Sequence, residues 1–200
     1  MKKRDQASSQ KVLLVDSNDK FLSKYVARHE AHTGEGIHHR AFVCFLLNKK
    51  GEILLQKRKH WLWDGLWDLS AISHVLHLDG HDESYEEATA RALKKEMGIE
   101  GVETKKLGGF NYFAKHEKDE GLPRHRRGCE DEYCAIMFGR YDGPVEPNDE
   151  DIYEYKWTKF TEFIKETKNH PEKYTPWAVL TVENLKKIGY LGTNDIINLE

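Results

Sequence analysis

A short helix with well-marked ends, between Ser84 and Gly98, is the feature that most constrains how this chain can fold. Ser84 followed by Glu87 forms a capping box, in which the hydroxyl accepts from an early helical amide and the glutamate accepts from the amide of the cap residue. Gly98 marks the end of the helix, where a left-handed backbone is favoured. The segment 70–83 before the helix is rich in histidine and acidic residues, and we interpret it as a loop.

The same helix predicts one buried face and one charged group that needs a partner. Ala90, Leu93 and Met97 recur at helical spacing, which predicts that they face the core. Glu96 lies in the last turn, where a carboxylate is disfavoured by the negative end of the helix dipole. We therefore expect a positive group beside Glu96, either a lysine or a metal ion.

Charge and composition exclude some classes of function. The 200 residues include 31 Lys and Arg against 34 Asp and Glu, a net charge of −3, which argues against a general nucleic-acid-binding protein. No apolar stretch approaches the roughly 20 residues that a membrane span needs, and no apolar segment follows the charges at the start. Three cysteines without framework spacing fit a reducing compartment. We expect a cytoplasmic protein without a membrane partner, either a monomer or a weak dimer.

The length suits one domain, which we expect over residues 11–188, with a flexible segment at 1–10 and a tail at 189–200. Apolar runs bounded by turn residues predict strands. These are 11–15, 21–28, 41–47, 52–57, 105–114, 130–141 and 153–158. Further helices are predicted at 161–167 and 176–188, and a polar loop at 28–40. Strands flanked by helices indicate the α/β class, with a sandwich around a mixed sheet.

Two segments of unusual composition leave alternatives open. Trp61, Trp63 and Trp67 lie within seven residues, and they form either a loop packed over the sheet or the wall of a site for an apolar ligand. A basic cluster at 124–127 is either a solvated loop or a lid that closes over an anionic ligand.

Paired carboxylates at the start of a strand indicate a cation. On a strand, Glu130 and Glu132 share one face and Asp131 takes the other. The strand continues into apolar residues, so the two like charges enter the interior, where they repel unless a cation lies between them. The histidines His32, His39 and His74 are candidates to complete a nitrogen and oxygen donor set for Zn, Mn or Mg.

The loop and helix of the opening stretch resemble the Nudix box of diphosphate-handling enzymes. The matching residues are Glu83, Arg91, Leu93, Glu96, Gly98 and Ile99. The box expects acids at two positions that are Ala92 and Lys95 here. This departure is typical of the type I isopentenyl-diphosphate isomerases, a branch of the Nudix superfamily. The resemblance to this superfamily implies a Nudix-type α/β/α sandwich.

Further motifs along residues 11–188 resemble the same branch. The segments are His32 to Phe42, Trp67 to His74, Cys129 to Cys134 and Thr175 to Trp177. The resemblance implies one divalent metal ion bound by His32, His39, His74, Glu130 and Glu132. It also implies a small-molecule diphosphate substrate whose double bond is shifted by protonation at one carbon and deprotonation at another.

The resemblance assigns roles to further residues. Glu132, beside Tyr112, is implied as the acid, and Trp177 as the group that stabilises positive charge through its π face. Glu96 is implied to bind Mg at the substrate diphosphate. Basic contacts to that diphosphate are implied at Arg28, Lys57 and Arg58.

One departure bears on the chemistry. The family's catalytic cysteine, two residues before the third metal histidine, is Ile72 here, and an aliphatic side chain cannot transfer a proton. Cys134 shares the strand face of Glu132 but is expected to be a buried small residue. Three functions therefore stay open: a divergent isomerase, a Nudix pyrophosphohydrolase on a nucleoside or other diphosphate, and a non-catalytic diphosphate-binding module.

Overall fold

The computed structural model describes residues 10–116 and 128–191, which form strands and helices in alternation. The strands are β1 (Lys11–Val15), β2 (Phe21–Ala27), β3 (His39–Leu47), β4 (Glu52–Arg58), β5 (Trp67–Asp68), β6 (Ala71–His74), β7 (Leu76–Leu78), β8 (His81–Asp82), β9 (Thr104–Lys115), β10 (Cys129–Arg140) and β11 (Ile152–Lys159). The α-helices are α1 (Arg28–Ala31), α2 (Tyr85–Met97), α3 (Phe160–Asn169) and α4 (Pro176–Lys187).

Strand β3 is the centre of a mixed sheet. It runs parallel to β10 and antiparallel to β6. Strand β10 in turn pairs antiparallel with β9, and β4 pairs antiparallel with β11. Long-range pairing around one buried strand therefore fixes which residues of distant segments become neighbours.

Alternation along β3 divides the core into two layers. Phe42, Cys44 and Leu46 pack on the side of α2. The intervening Val43, Phe45 and Leu47 pack on the side of α3 and α4. Helices thus cover both faces of the sheet, and the predicted α/β/α sandwich around a mixed sheet is confirmed.

Both ends of α2 agree with the sequence prediction, but its buried face differs. Ser84 and Glu87 form the capping box, and Gly98 ends the helix with φ 65°. Ala90 is exposed, so the prediction that it is buried was wrong. The face toward the sheet is formed instead by Ala88, Thr89, Ala92, Leu93 and Met97. Because a helix has only about 3.6 residues per turn, an error of one residue in the predicted buried face moves a position such as Ala90 from the core to the solvent.

Two predicted loops contain regular structure. Residues 70–83 form β6, β7 and β8, because β6 pairs with the central strand and β7 with β1. Asp79 and Gly80, both with positive φ, form the tight turn between β7 and β8, and this Asp-Gly pair is a hairpin signal in the sequence. The predicted loop 28–40 begins with α1, so the strand predicted to reach Arg28 ends at Ala27.

The basic cluster at 124–127, the segment 1–9 and residues 192–200 lie outside the described residues. Within 10–116 and 128–191, no helix combines the length and the apolar character that crossing a bilayer requires.

Asp19 connects the β1–β2 hairpin to α2 and β9. Its carboxylate accepts hydrogen bonds from Arg40 Nε at 2.7 Å, Lys106 Nζ at 2.6 Å and Tyr85 Oη at 2.9 Å. Its side chain is only 12 % exposed, and its φ of 65° is one that Asp and Asn tolerate better than most residues. Three donors on one sheltered carboxylate are worth more than an exposed ion pair.

We predict that Asp19→Asn lowers the free energy of unfolding by about 2 kcal/mol, because it removes the charge to which three donors bind. Urea unfolding measures the difference. The control is Asp79→Asn, an exposed position that also has a positive φ, 49°. Equal losses for the two variants would contradict the role given to Asp19.

Candidate metal centre

Three neighbouring strands each place one residue in a single row across the sheet. Glu132 of β10 pairs with His39 of β3 on one side and with Tyr112 of β9 on the other. The Tyr112 hydroxyl donates to Glu132 Oε2 at 2.6 Å. The register of the sheet, rather than any local motif, therefore brings these three residues together.

The two glutamates lie on the buried face of β10, as the alternation predicted. Glu130 and Glu132 are 6 % and 3 % exposed. Asp131, between them, lies on the opposite face, where its carboxylate is 2.7 Å from His38 Nδ1. Cys134, two residues after Glu132, lies on the same face of β10 and packs into the core.

The other two histidines come from separate elements. His74 ends β6, and the pairing of β6 with β3 places it opposite Ala41, two residues after His39. His32 follows α1, and its carbonyl accepts from the amide of Cys129 at 3.0 Å. That bond attaches the end of α1 to the start of β10, next to the glutamates.

These five side chains form one buried cluster. His32 Nε2 lies 2.9 Å from Glu130 Oε2, and His74 Nε2 lies 2.9 Å from Glu132 Oε1. His39 Nε2 lies 3.4 Å from Glu132 Oε1. All five candidate ligand atoms lie within 4.8 Å of one another. The structure therefore brings together the whole donor set that the sequence suggested.

The electrostatics of the cluster centre on His32. Burial disfavours a charged imidazole there, but Glu130 and Glu132 outweigh it and raise the pKa of His32 to about 10. Burial lowers the pKa of His39 and of His74. Burial also opposes charge on Glu132, yet the three imidazoles around it hold the pKa of Glu132 well below its usual range. The protonated imidazole of His32 thus supplies the positive charge between the two carboxylates.

The donor atoms fit a divalent cation. His39 Nδ1 lies 2.7 Å from the carbonyl of Ile37, and His32 Nδ1 lies 2.6 Å from the carbonyl of Arg28, so each of these nitrogens donates. In the neutral imidazoles the Nε2 atoms then carry the lone pairs that face the cluster. His32 Nε2 approaches His74 Nε2 to 3.0 Å, and within the described part of the chain His39 Nε2 is buried without a hydrogen-bond partner. Lone pairs held this close require a proton or a metal ion between them.

Trp177 lies beside this cluster and is held by a residue that the sequence analysis did not single out. Its indole Nε1 donates to both carboxylate oxygens of Asp68, at 2.9 Å each. The Tyr112 ring centroid is 6.1 Å from that of Trp177, and the guanidinium of Arg58 is 5.1 Å from the Trp177 centroid. An acidic residue inside the apolar run from Leu66 to Leu69 was the available signal, because such a residue needs a buried partner.

The tryptophan-rich segment forms a packed loop, and its alternative role as the wall of a site for an apolar ligand stays a prediction. Trp63 packs edge-to-face with Trp177, with ring centroids 5.0 Å apart. Trp61 is half exposed and Leu62 is buried, as in a loop packed over the sheet.

Glu96 lies outside the five-residue cluster. Its Oε2 accepts from Gln56 Nε2 at 2.9 Å, and burial raises the pKa of Glu96. Lys95, the expected type of partner, contributes attraction but makes its own ion pair with Asp151 at 3.0 Å. A neutral amide is therefore the direct protein partner of Glu96, while Lys95 pairs with Asp151. The metal role of Glu96 stays a prediction.

The basic residues separate into two groups. The carbonyl of Arg28 accepts from His32 Nδ1 at 2.6 Å, so Arg28 adjoins the cluster. Burial lowers the pKa of Arg28, and the charges of Glu130 and Glu132 oppose this shift. Lys57 Nζ instead donates to Glu154 Oε1 at 2.7 Å, and Glu154 belongs to the edge strand β11. Arg28 therefore adjoins the cluster and Arg58 adjoins Trp177, whereas Lys57 has a different partner.

Ile72 occupies the same face of β6 as His74. It pairs with Val43 and packs against the core layer that contains Trp177. Cys134 lies in the same layer with no exposed surface, and burial raises the pKa of its thiol well above the usual value. The expectation that Cys134 is a buried small residue is confirmed.

We predict that Glu130→Gln weakens binding of Zn or Mn at least about tenfold. Replacing a residue that only hydrogen-bonds a metal ligand already lowers metal affinity by about that factor. The matched control is Asp131→Asn, the same loss of charge on the opposite face of the same strand. Isothermal titration calorimetry gives both affinities. Equal affinities for the two variants would rule Glu130 out as a ligand.

Metal binding at pH 7 is expected to release about one proton, because a coordinating imidazole must be neutral. The pKa of His32 is about 10 without an ion, so affinity should rise with pH from 7 toward that value. Calorimetry in two buffers of different ionisation enthalpy counts the protons. Heats that do not depend on the buffer would contradict a place for His32 in the metal shell.

Comparison with known proteins identifies the family. The NUDIX domain model matches residues 37–178. A protein of Klebsiella pneumoniae named isopentenyl-diphosphate Delta-isomerase is 29% identical over 179 residues, which cover 86% of this chain and 89% of that protein. A protein of the same name from Haloarcula marismortui is 31% identical over 176 residues, covering 84% and 87% of the two chains.

Solved structures agree on the fold. Protein DR0079 of Deinococcus radiodurans has a TM-score of 0.63 at 19% identity, covering 87% of this chain and 98% of its own. The MutT protein of Methanosarcina mazei Go1 has a TM-score of 0.54 at 19% identity, covering 75% and 94%. At this identity they show the fold alone. The chain therefore belongs to the NUDIX domain family, where it is similar to proteins named isopentenyl-diphosphate Delta-isomerase.

Proposed function

We propose that this protein is a metal-dependent NUDIX enzyme that shifts a double bond in a small allylic or homoallylic diphosphate, as an isopentenyl-diphosphate isomerase does. The observation that carries the proposal is the buried cluster of His32, His39, His74, Glu130 and Glu132, with Tyr112 and Trp177 beside it. The domain that performs this function is proposed to span residues 11–188.

The cluster is proposed to hold one divalent ion, of Zn, Mn or Mg type. When bound, the ion supplies positive charge that offsets the two glutamates and holds Glu132 in place. The remaining roles belong to side chains of this chain.

Glu132 and Tyr112 are proposed as the proton-donating pair. Their oxygens are 2.6 Å apart. Burial, followed by the charge of Glu132, raises the pKa of Tyr112 well above its usual value, so the phenol stays protonated. A proton on this pair can pass to the terminal methylene carbon of the substrate, which leaves positive charge on the neighbouring tertiary carbon.

Trp177 is proposed to stabilise that positive charge. A cation over an indole face gains about 2 kcal/mol or more when water is excluded, and Trp177 is 2 % exposed. Its ring centroid lies 6.1 Å from that of Tyr112, so proton donor and ring border the same space.

Arg28 and Arg58 are proposed to bind the diphosphate. The carbonyl of Arg28 accepts from His32 Nδ1 at 2.6 Å, so Arg28 adjoins the cluster, and the guanidinium of Arg58 lies beside Trp177. Among the described residues, Arg58 Nε is buried without a hydrogen-bond partner. A charged N–H group of this kind favours an anionic acceptor. Glu96 is proposed to bind the Mg that accompanies the diphosphate, and Lys57 stays a prediction as a further contact.

Ile72 separates this chain from the ordinary reaction. The position faces the cluster side of β6 but carries no group that can remove a proton. We therefore propose that proton addition is retained and that proton removal is slow, which makes this a divergent isomerase.

Hydrolysis of a nucleoside or other diphosphate is the alternative. It needs carboxylates on α2 to hold Mg, but Ala92 is buried there and Lys95 pairs with Asp151. Glu83 is already engaged by Arg91 at 2.6 Å and by the amide of Leu76. A diphosphate-binding module without turnover is the third possibility.

With isopentenyl diphosphate and Mg or Mn, we expect slow formation of dimethylallyl diphosphate. Ile72→Cys should raise that rate at least about tenfold, because a positioned acid or base contributes 10² or more. The control is Ser73→Cys, which adds a thiol on the opposite face of β6. Product analysis by nuclear magnetic resonance gives both rates.

Three outcomes separate the candidates. Dimethylallyl product that increases with Ile72→Cys supports the isomerase. Inorganic phosphate or a monophosphate released from a nucleoside diphosphate panel, without isomerisation, identifies a hydrolase and contradicts the proposal. Ligand binding without any product identifies the binding module and also contradicts it.

A further inference from the structure

We propose that Asp68 is a positioning residue of the site, which fixes the orientation of the Trp177 indole and holds Arg58 next to that ring. This inference rests on the proposed function for its catalytic consequence, but the geometry can be tested without turnover. No motif discussed above assigns a role to Asp68.

Asp68 is a buried carboxylate with a complete set of partners. It has no exposed surface. One indole N–H from Trp177 is shared between its two oxygens at 2.9 Å each, Arg58 Nη1 donates to Oδ2 at 3.1 Å, and the amide of Leu69 donates to Oδ1 at 2.8 Å. An unpaired carboxylate at this depth is strongly disfavoured in its charged form, so Arg58 and Trp177 are needed to keep it ionised.

A backbone hydrogen bond also joins β5, which carries Asp68, to the start of α4, which carries Trp177. The amide of Thr175 donates to the carbonyl of Trp67 at 3.0 Å, which ties the start of α4 to β5. Trp177 lies in the first turn of α4 and Asp68 at the end of β5. The backbone bond sets the distance between the two elements, and the side-chain bond sets the angle of the ring.

The arrangement connects the two halves of the site. Arg58, proposed to bind the diphosphate, lies with its guanidinium 5.1 Å from the Trp177 ring centroid while Asp68 holds it. Trp63 packs on another side of the same ring. A single carboxylate therefore fixes the ring that faces the reacting carbon and a cation that faces the anionic end of the substrate. Small misplacements of such groups cost catalysis disproportionately.

The first test follows the indole of Trp177 in the unliganded protein. Its ¹H–¹⁵N resonance is assigned as the indole signal that Trp177→Phe removes. Asp68→Asn should move this resonance, because a neutral amide accepts more weakly than a carboxylate. Asp142→Asn is the control, since Asp142 is exposed and bonds the amide of Lys49 in a distant turn. An unmoved resonance in a folded Asp68→Asn protein would overturn the proposal.

The second test is a double-mutant cycle on kcat with isopentenyl diphosphate. Asp68→Asn should lower kcat at least about tenfold in the wild-type background, and much less in the Trp177→Phe background, because Asp68 acts through the ring. A residue that only stabilises the fold would lower the melting temperature and leave the two effects on kcat equal. Equal effects would therefore overturn the positioning role.

A third measurement keeps the two proposals separable. If the wild-type protein shows no turnover, the proposed function fails, and titration with inorganic pyrophosphate and Mg then decides the inference. Pyrophosphate that recruits Arg58 should move the Trp177 resonance in the wild type and move it less in Asp68→Asn. Identical responses in both proteins would contradict the link through Asp68.

Discussion

The rest of the site depends on one electrostatic constraint: two glutamates on one face of a buried strand. Glu130 and Glu132 are almost completely buried, so their mutual repulsion is weakly screened. Three imidazoles surround them, and the raised pKa of His32 shows how strongly the pocket attracts positive charge. A divalent ion in place of that proton would use the same geometry, which makes the cluster a candidate metal centre.

The sheet, rather than a contiguous motif, assembles this centre. Parallel pairing of β3 with β10 puts His39 next to Glu132, and antiparallel pairing with β9 adds Tyr112 to the row. Such pairings connect residues far apart in sequence, so the site forms only with the complete fold. This explains how a chain with departures at Ala92, Lys95 and Ile72 can still assemble the five-residue cluster.

Features set by local rules could be predicted from the sequence, and features set by tertiary contacts could not. The capping box at Ser84, the end of α2 at Gly98 and the shared face of Glu130 and Glu132 follow from local geometry. The roles of the histidines came from resemblance, because spacing alone does not show convergence. Asp68 was missed, since its partner Trp177 lies 109 residues away. The partner of Lys57 and the strands in 70–83 likewise depend on pairing between distant segments.

The account is tested most directly by X-ray absorption spectroscopy of the protein loaded with one equivalent of Zn. It predicts a shell of nitrogen and oxygen donors that includes three imidazoles, with Zn–N distances of about 2.0–2.1 Å. Glu130→Gln should alter this shell, whereas Asp131→Asn should leave it unchanged. A spectrum without imidazole scattering, or one dominated by water, would contradict the existence of this metal centre.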